Sequence, residues 1–92
     1  MKFKVTRSKK FNRDLKRAEK RGYNINLLKE VVAMLSSGVK LPPKYKDYAL
    51  IGNYKGFREC HILPDWLLVY YIDDNKLILV LSRTGSHSDL EF

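Results

Sequence analysis

Residues 56–82 read GFRECHILPDWLLVYYIDDNKLILVLS, and this stretch decides the fold. It is rich in β-branched and aromatic residues, which are typical of strands. Two turn-forming pairs, Pro64-Asp65 and Asp74-Asn75, divide it, and Asp and Asn tolerate the positive φ of a two-residue hairpin turn. The pattern predicts an antiparallel meander. Its strands are Gly56 to Leu63, Trp66 to Ile72 and Lys76 to Ser82.

A short edge strand and a helical hairpin are predicted before the meander. Apolar residues alternate with polar ones from Met1 to Thr6, as in a strand with one covered face. Ser8 can cap a first helix, which Gly22 ends, and Asn24 or Asn26 can cap a second. Apolar residues recur at helical spacing in both segments. They are Phe11, Leu15 and Ala18 in the first helix, and Leu27, Leu28, Val31, Val32 and Leu35 in the second.

The order of these elements predicts the fold class. Pro42-Pro43 prevents the second helix from continuing and begins an extended loop from Lys44 to Asn53. A strand, two helices and then a meander indicate an α+β fold, with the helices packed on one face of the sheet. A chain of 92 residues is expected to form a single domain, residues 1–92, around one core.

Several classes of protein are excluded by composition. The lone Cys60 allows no internal disulfide, and next to His61 on a strand it should face the opposite side and lie in the core. No apolar run approaches the roughly 20 residues of a membrane span, and the first residues do not resemble a signal peptide. We therefore expect a cytoplasmic protein without contact to the membrane.

Positive charge is concentrated in the first third of the chain. The sequence has 18 Lys and Arg against 10 Asp and Glu, a formal net charge of +8. Residues 1–30 hold eleven of the basic and three of the acidic side chains, whereas residues 31–92 hold seven of each. The asymmetry predicts a polyanionic or acidic partner, although a solvated helix surface is the alternative. The expected docking residues are Lys9, Lys10, Arg13, Lys16, Arg17, Lys20 and Arg21.

Chemically active side chains are predicted to meet at one end of the meander. With a two-residue turn between the last two strands, Trp66 would lie opposite Arg83. The turn before Trp66 brings His61 to the same end, and His87 follows Arg83 after a short Thr-Gly-Ser segment. Both histidines of the chain would therefore lie close to Asp65.

This set of side chains suits cleavage of RNA without a metal ion. An imidazole, with an ordinary pKa of about 6.5, can accept the proton of a ribose 2′-hydroxyl or protonate the leaving 5′-oxygen. A carboxylate can fix its tautomer, an arginine can bind the phosphate, and Trp66 or Tyr48 can stack on a base. The expected products are a 2′,3′-cyclic phosphate, or the 3′-phosphate after its hydrolysis, and a 5′-hydroxyl.

Each of these residues also has a purely structural interpretation. His61 can be a hydrogen-bonded strand residue, Asp65 a turn former, and Trp66 a core residue. Arg83 can simply pair with Asp65, whereas His87 follows a polar segment in which little packing would hold it. A metal site made of His61, His87 and Asp65 is an alternative, but their spacing matches no common metal-ligand motif. Neither a metal nor a small-molecule cofactor is therefore expected.

Four segments of the sequence resemble one family of bacterial toxins. They are Tyr45-Lys46-Asp47, Tyr54-Lys55-Gly56-Phe57-Arg58, His61-Ile62-Leu63-Pro64-Asp65-Trp66 and Arg83-Thr84-Gly85-Ser86-His87. Together they resemble the YafQ branch of the RelE/ParE toxins of toxin–antitoxin systems, over nearly the whole chain. The resemblance implies the RelE-type α+β fold and ribosome-dependent endonucleolytic cleavage of mRNA, preferentially at lysine AAA codons in the A site. It also implies an antitoxin partner, which the basic surface suggests is acidic.

The resemblance assigns roles to individual positions. His87 would be the principal acid/base group, and His61 and Asp65 would assist proton transfer. Arg83 would stabilise the phosphate. The residues expected to bind RNA are Trp66, Tyr48, Lys46 and Phe92.

Two positions depart from the pattern of the family. The family often has a further histidine where this chain has Tyr48, and tyrosine, with a pKa of about 10, is a poor general base at neutral pH. The C-terminal aromatic residue is displaced by one position, so that Glu91 stands in the matching register and Phe92 follows it. Either change is expected to lower the rate or alter the codon preference.

One main functional hypothesis and two others follow. The main hypothesis is a ribosome-dependent mRNA endonuclease toxin that is inhibited by a cognate acidic antitoxin. The second is a ParE-like inhibitor of DNA gyrase on the same scaffold, which acts by binding. The third is a basic RNA-binding module without catalysis. Only the first requires His87 for its effect.

Overall fold

The computed structural model describes residues 2–91 of the chain. The strands form one five-stranded mixed sheet in the order β1-β5-β4-β3-β2. Within the described residues, no helix is long and apolar enough to cross a membrane. The predicted α+β class is confirmed. The elements are β1 (Lys4–Arg7), α1 (Lys9–Lys20), α2 (Ile25–Ser36), β2 (Tyr48–Ala49), β3 (Arg58–Leu63), β4 (Trp66–Asp73), β5 (Ile78–Gly85) and α3 (His87–Leu90).

Both predicted helices begin at caps that the sequence indicates. Ser8 Oγ accepts a hydrogen bond from Phe11 N at 3.0 Å, and Asn24 Oδ1 accepts one from Asn26 N at 3.1 Å. These bonds satisfy N–H groups that have no partner within the helix. Gly22 follows α1 with a φ of 79°, a conformation that glycine adopts without steric cost. Asn24, rather than Asn26, is therefore the cap of α2.

The core lies between the two long helices and the sheet, and it includes Phe11 of α1 and Val31 of α2. Alternation along the strands places one set of side chains on this helix face. The set consists of Cys60, Ile62, Trp66, Leu68, Tyr70, Leu79 and Leu81. On the opposite face, called the α3 face below, Leu67 and Val69 pack with Leu90 of α3. The prediction that Cys60 lies in the core is confirmed.

The hairpin between β4 and β5 has a longer turn than predicted. The turn covers residues 74–77, so the predicted two-residue turn is wrong. Asp73 Oδ1 accepts hydrogen bonds from the backbone N–H groups of Asn75 and Lys76, both at 3.1 Å. Leu77 closes the turn with a φ of 54°. Local side-chain bonding of aspartate to the backbone thus sets the turn length.

An irregularity in β5 shifts the register again. Tyr70 pairs with Leu81, but Val69 pairs with Arg83, so Ser82 has no counterpart on β4 and forms a bulge. Arg83 consequently lies opposite Val69, and not opposite Trp66 as predicted. The strand continues to Gly85 and brings the start of α3 to the end of the sheet where β3 turns into β4.

The strands at the two edges of the sheet, β1 and β2, are short. β1 pairs in parallel with β5, so the predicted N-terminal edge strand is confirmed for the part that begins at Lys4. The predicted extended loop from Lys44 to Asn53 is more structured than expected. It contains β2, which pairs with β3, and it overlaps 3₁₀ turns at Pro43–Tyr45 and Gly52–Tyr54.

Candidate active site

The candidate site lies on the α3 face of the sheet, at the turn between β3 and β4. Because Cys60 and Ile62 point into the helix-side core, Glu59 and His61 project from the other face of β3. α3 is held on that face by the buried Leu90. Strand alternation and a one-turn helix thus bring the two histidines of the chain to one place.

His87 and Asp65 form the closest contact in the site. Asp65 Oδ1 lies 2.5 Å from His87 Nδ1 and also accepts a hydrogen bond from the His87 backbone N–H at 2.9 Å. Hydrogen bonds from the His87 backbone and side chain lower the pKa of Asp65, so this group is a carboxylate at neutral pH. A carboxylate at Nδ1 requires the proton there and leaves Nε2 of the neutral ring free to accept a proton.

His61 lies beside His87 and is less exposed. Their ring centroids are 5.6 Å apart in an edge-to-face arrangement. The His61 side chain is 17% exposed, against 47% for His87. His61 Nε2 is 3.5 Å from Glu59 Oε1, and the Glu59 side chain is only 3% exposed. Two imidazoles with separate carboxylate partners can therefore face one substrate. Such a pair suits a reaction in which one imidazole removes a proton from the substrate and the other donates a proton to it.

Tyr48 completes this side of the site. Its hydroxyl donates a hydrogen bond to Glu59 Oε1, and its ring centroid lies 6.5 Å from that of His61. The hydrogen bond to the Glu59 carboxylate, with a smaller contribution from burial, raises the pKa of Tyr48 to about 12. The phenol thus stays protonated at neutral pH and can only act as a hydrogen-bond donor or a stacking surface.

Tyr48 should make stability fall at high pH. Its raised pKa means that the folded protein keeps the phenol proton between pH 10 and about 12, where the unfolded chain has lost it. The stabilisation is therefore complete below pH 10 and is lost as the pH rises towards 12. We expect the free energy of unfolding to fall less steeply across this interval in Tyr48→Phe, as measured by urea denaturation.

Glu59→Gln is the matched control for that measurement. It keeps the size of the acceptor and removes its charge, so the Tyr48 phenol should titrate closer to its ordinary value of about 10. An identical pH dependence in wild type, Tyr48→Phe and Glu59→Gln would show that the bond between Tyr48 and Glu59 has no such effect.

Arg83 does not join the histidine pair. Its Nε donates to Asp14 Oδ2 of α1 at 2.7 Å, and its Nη2 lies 3.2 Å from Asp14 Oδ1. Asp14 Oδ2 also accepts the backbone N–H of Thr84 at 3.1 Å. The hydrogen bond to Asp14 raises the pKa of Arg83, so this group is always charged. In the observed register Arg83 lies three residues from its predicted position beside Trp66, and its guanidinium pairs with α1.

Trp66 is a core residue. It is 2% exposed, its Nε1 donates to Thr84 Oγ1 at 2.9 Å, and its ring meets Tyr23 with centroids 4.9 Å apart. The expectation that an exposed Trp66 stacks on a base is therefore wrong, because alternation along β4 turns the indole to the helix side. Thr84, which also donates to Leu67 O at 2.7 Å, ties Trp66 to the strand that leads to His87.

The other residues expected to contact RNA lie in different places. Lys46 lines a pocket of about 260 Å³ together with His61, at the edge of the site. Tyr48 is 46% exposed beside it. Phe92 lies outside the described residues.

The basic residues of α1 form the predicted surface. Six of the seven expected docking residues are exposed, and Arg17 is half-buried. Lys10, Arg13 and Arg17 line one surface pocket with Asp14 and Arg83. The basic surface of α1 therefore includes Arg83 of β5. The sequence had predicted that Arg83 would belong to the histidine site.

Two acidic residues of this region were missed by the sequence analysis. Glu59 is buried in the site, and its position two residues before His61 on a strand was the available signal, because such residues share a face. Asp14 lies within the apolar stripe of α1, three residues after Phe11 and four before Ala18, and is 4% exposed. That helical spacing marked it as an inward-facing carboxylate in need of a partner.

Comparison with known proteins identifies the family. The family model for the bacterial toxin of type II toxin–antitoxin system, YafQ, matches residues 3–91. The mRNA interferase toxin YafQ of Escherichia coli strain K12 is 39% identical over 84 residues, 90% of this chain and 89% of that protein. A metal-bound toxin from Helicobacter pylori is 49% identical and superposes with a TM-score of 0.90 over 96% of this chain and 98% of that chain. A chain of the E. coli DinJ–YafQ toxin–antitoxin complex is 36% identical, with a TM-score of 0.87 over 98% of both chains. This protein therefore belongs to the YafQ family of toxins of bacterial type II toxin–antitoxin systems.

Proposed function

We propose that this toxin is an mRNA interferase, an endoribonuclease that cleaves mRNA on the ribosome and thereby inhibits translation. The observation that carries the proposal is the contact between His87 and Asp65 at 2.5 Å, with the His61 ring beside it. The E. coli relative is an mRNA interferase toxin, which supports the same activity here.

The proposed reaction needs one proton acceptor and one proton donor. His87 Nε2 takes the proton of the ribose 2′-hydroxyl while O2′ forms a bond to phosphorus. The bond between phosphorus and O5′ breaks, and His61 supplies a proton to the leaving oxygen. Asp65 holds the His87 ring and stabilises the imidazolium that forms, as expected for a carboxylate at Nδ1. The products are a 2′,3′-cyclic phosphate, or the 3′-phosphate after its hydrolysis, and a 5′-hydroxyl.

The toxin's own side chains are proposed to supply this chemistry without a metal ion. Within residues 2–91, no group of three or more His, Cys, Asp or Glu is arranged to hold one. The half-exposed ring of Tyr48 and the ammonium of Lys46, both beside His61, are suited to bind the substrate as a stacking surface and a cation. Arg83 and the neighbouring cations of α1, which line one surface pocket, are proposed to bind phosphates of the RNA strand outside the proton-transfer site.

The basic helix is proposed as the docking surface for two partners. Ribosomal RNA offers closely spaced phosphates, and a cognate acidic antitoxin offers carboxylates, so both can bind the same cations. The E. coli relative is part of a complex with DinJ, which supports an antitoxin partner of this kind. A toxin that acts on ribosomes works in the cytoplasm.

The ends of the cleaved mRNA test the proposed chemistry. We expect 5′-hydroxyl ends that a polynucleotide kinase labels without prior dephosphorylation, and 3′ ends that block ligation until the phosphate is removed. The same mRNA without ribosomes should stay intact. Cleavage that leaves 5′-phosphates and 3′-hydroxyls would contradict the mechanism. Intact mRNA together with DNA damage would instead support a gyrase inhibitor, and salt-sensitive RNA binding without cleavage a non-catalytic module.

A further inference from the structure

The imidazole of His87 sits on a helix that cannot position it unaided. α3 has four residues, and Leu90 N–H to Ser86 O is the backbone bond that closes it, at 3.1 Å. A single turn forms unfavourably in isolation, because it fixes several dihedral angles for one hydrogen bond. Contacts outside the turn must therefore hold α3, and with it the direction of the His87 ring.

Asp89 is the residue of α3 that bonds both to Ser86, at the start of the turn, and to Arg21, at the end of α1. Its Oδ2 accepts the backbone N–H of Ser86 at 3.0 Å, and Ser86 Oγ in turn accepts the backbone N–H of Asp89 at 3.1 Å. The backbone of Gly85 lies very close to the Asp89 side chain, since a Cβ added to Gly85 would be 2.9 Å from Asp89 Cβ. The carboxylate is thus fixed at the junction between β5 and α3.

Two arginines at the end of the basic helix α1 also contact the Asp89 carboxylate. Arg21 Nη1 donates to Asp89 Oδ2 at 2.6 Å, Arg21 Nη2 lies 3.2 Å from Asp89 Oδ1, and Arg17 Nη1 lies 3.9 Å from that oxygen. The Asp89 side chain is only 11% exposed, although Arg21 is 44% exposed. These arginines, with the Ser86 N–H, lower the pKa of Asp89, so the carboxylate stays charged.

We propose that Asp89 is a positioning residue for His87, because its two-point ion pair with Arg21 fixes the one-turn helix that carries the imidazole. Leu90 packs on the sheet, and the backbone N–H of His87 donates to Asp65, so α3 is attached at its last and at its first residue. The ion pair adds a third attachment, from Asp89 to the end of α1. The catalytic part of this proposal rests on the proposed ribonuclease function.

Asp89→Asn tests the proposal, because asparagine keeps an oxygen for the Ser86 N–H and removes the charge that attracts Arg21. We expect the amide hydrogen of Leu90 to exchange at least about tenfold faster, while the amides of β4 keep their rates. Cleavage of ribosome-bound mRNA should lose about 10- to 100-fold in kcat with KM unchanged, as for a displaced catalytic group. Asp74→Asn, the same change in the turn at the far end of the hairpin, should alter neither quantity.

The exchange and cleavage measurements test the positioning role of Asp89 separately from the proposed ribonuclease function. Wild-type exchange at Leu90 in Asp89→Asn would overturn the positioning role, as would a raised KM with an unchanged kcat. Arg21→Gln gives a second variant, in which the faster exchange of Leu90 is again expected. If wild-type toxin does not cleave mRNA at all, the proposed function fails, while the exchange rates still decide whether Arg21 and Asp89 hold α3.

Discussion

Ribosome-bound mRNA should be cleaved about 10²- to 10⁴-fold more slowly when His87 is replaced by alanine, since a positioned acid/base group contributes this much to proton transfer. The loss should appear in the single-turnover rate at saturating toxin, because the His87 ring contacts Asp65 and does not line the pocket of basic residues that is proposed to dock. A quench-flow measurement on purified ribosomes with a defined mRNA gives this rate directly.

The matched control is Ser88→Ala, the next residue of α3, which is exposed and takes no part in the proposed chemistry. It should cleave at the wild-type rate. If His87→Ala and Ser88→Ala cleave equally fast, His87 is not the acid/base group. His61 would then be the remaining imidazole of the chain, and its alanine variant would show the large loss instead.

Asp14→Ala should destabilise the fold by about 3 kcal/mol, because it removes a buried carboxylate that accepts bonds from two arginines and leaves the buried backbone N–H of Thr84 without its partner. Asp14 is 4% exposed and accepts hydrogen bonds from Arg83 and from the Thr84 backbone N–H. It also accepts one from Arg17 at 2.8 Å. For a domain of this size, the expected fall in melting temperature is about 10 to 20 °C. Differential scanning calorimetry and urea denaturation measure both quantities.

Glu19→Ala removes an acidic side chain from the exposed part of the same helix and serves as the control. Its stability should stay within about 0.5 kcal/mol of wild type, as for an ordinary surface substitution. An equally small change in Asp14→Ala would contradict the view that this carboxylate joins α1 to β5. Asp14→Asn should fall between the two, since the amide oxygen can still accept one of the bonds.

The parts of the fold that follow from short-range patterns could be predicted from the sequence. Ser8 and Asn24 cap their helices through their own side chains, and the turn at Pro64-Asp65 depends on those two residues alone. The approach of His87 to both Asp65 and His61 was therefore predictable. The carboxylate partner of His61 is instead Glu59, which was not predicted.

The wrong position of Arg83 arises from the longer hairpin between β4 and β5. The bonds from Asp73 to the turn and the bulge at Ser82 move Arg83 by three residues relative to β4. Neither feature has a distinct composition, since the same residues also suit a two-residue turn. The partners of Arg83 and Trp66, namely Asp14 and Thr84, depend on this register and could not be deduced without it.

Two separate parts of the structure have different proposed functions. Proton transfer is proposed for a small set of residues on the α3 face, and binding of polyanions for the basic residues of α1. Arg17 and Arg21 connect the two through Asp89. Part of the positive charge of the first thirty residues thus contacts α3, in addition to its proposed role in docking.

The most direct test of the central claim is primer extension on an mRNA in a purified translation system, with and without ribosomes, for wild type beside His87→Ala. We predict discrete cleavage products only with wild-type toxin and only when ribosomes are present. Equal cleavage by His87→Ala, or intact mRNA with the wild-type toxin on translating ribosomes, would contradict the assignment of this site as the catalytic centre of a ribosome-dependent mRNA interferase.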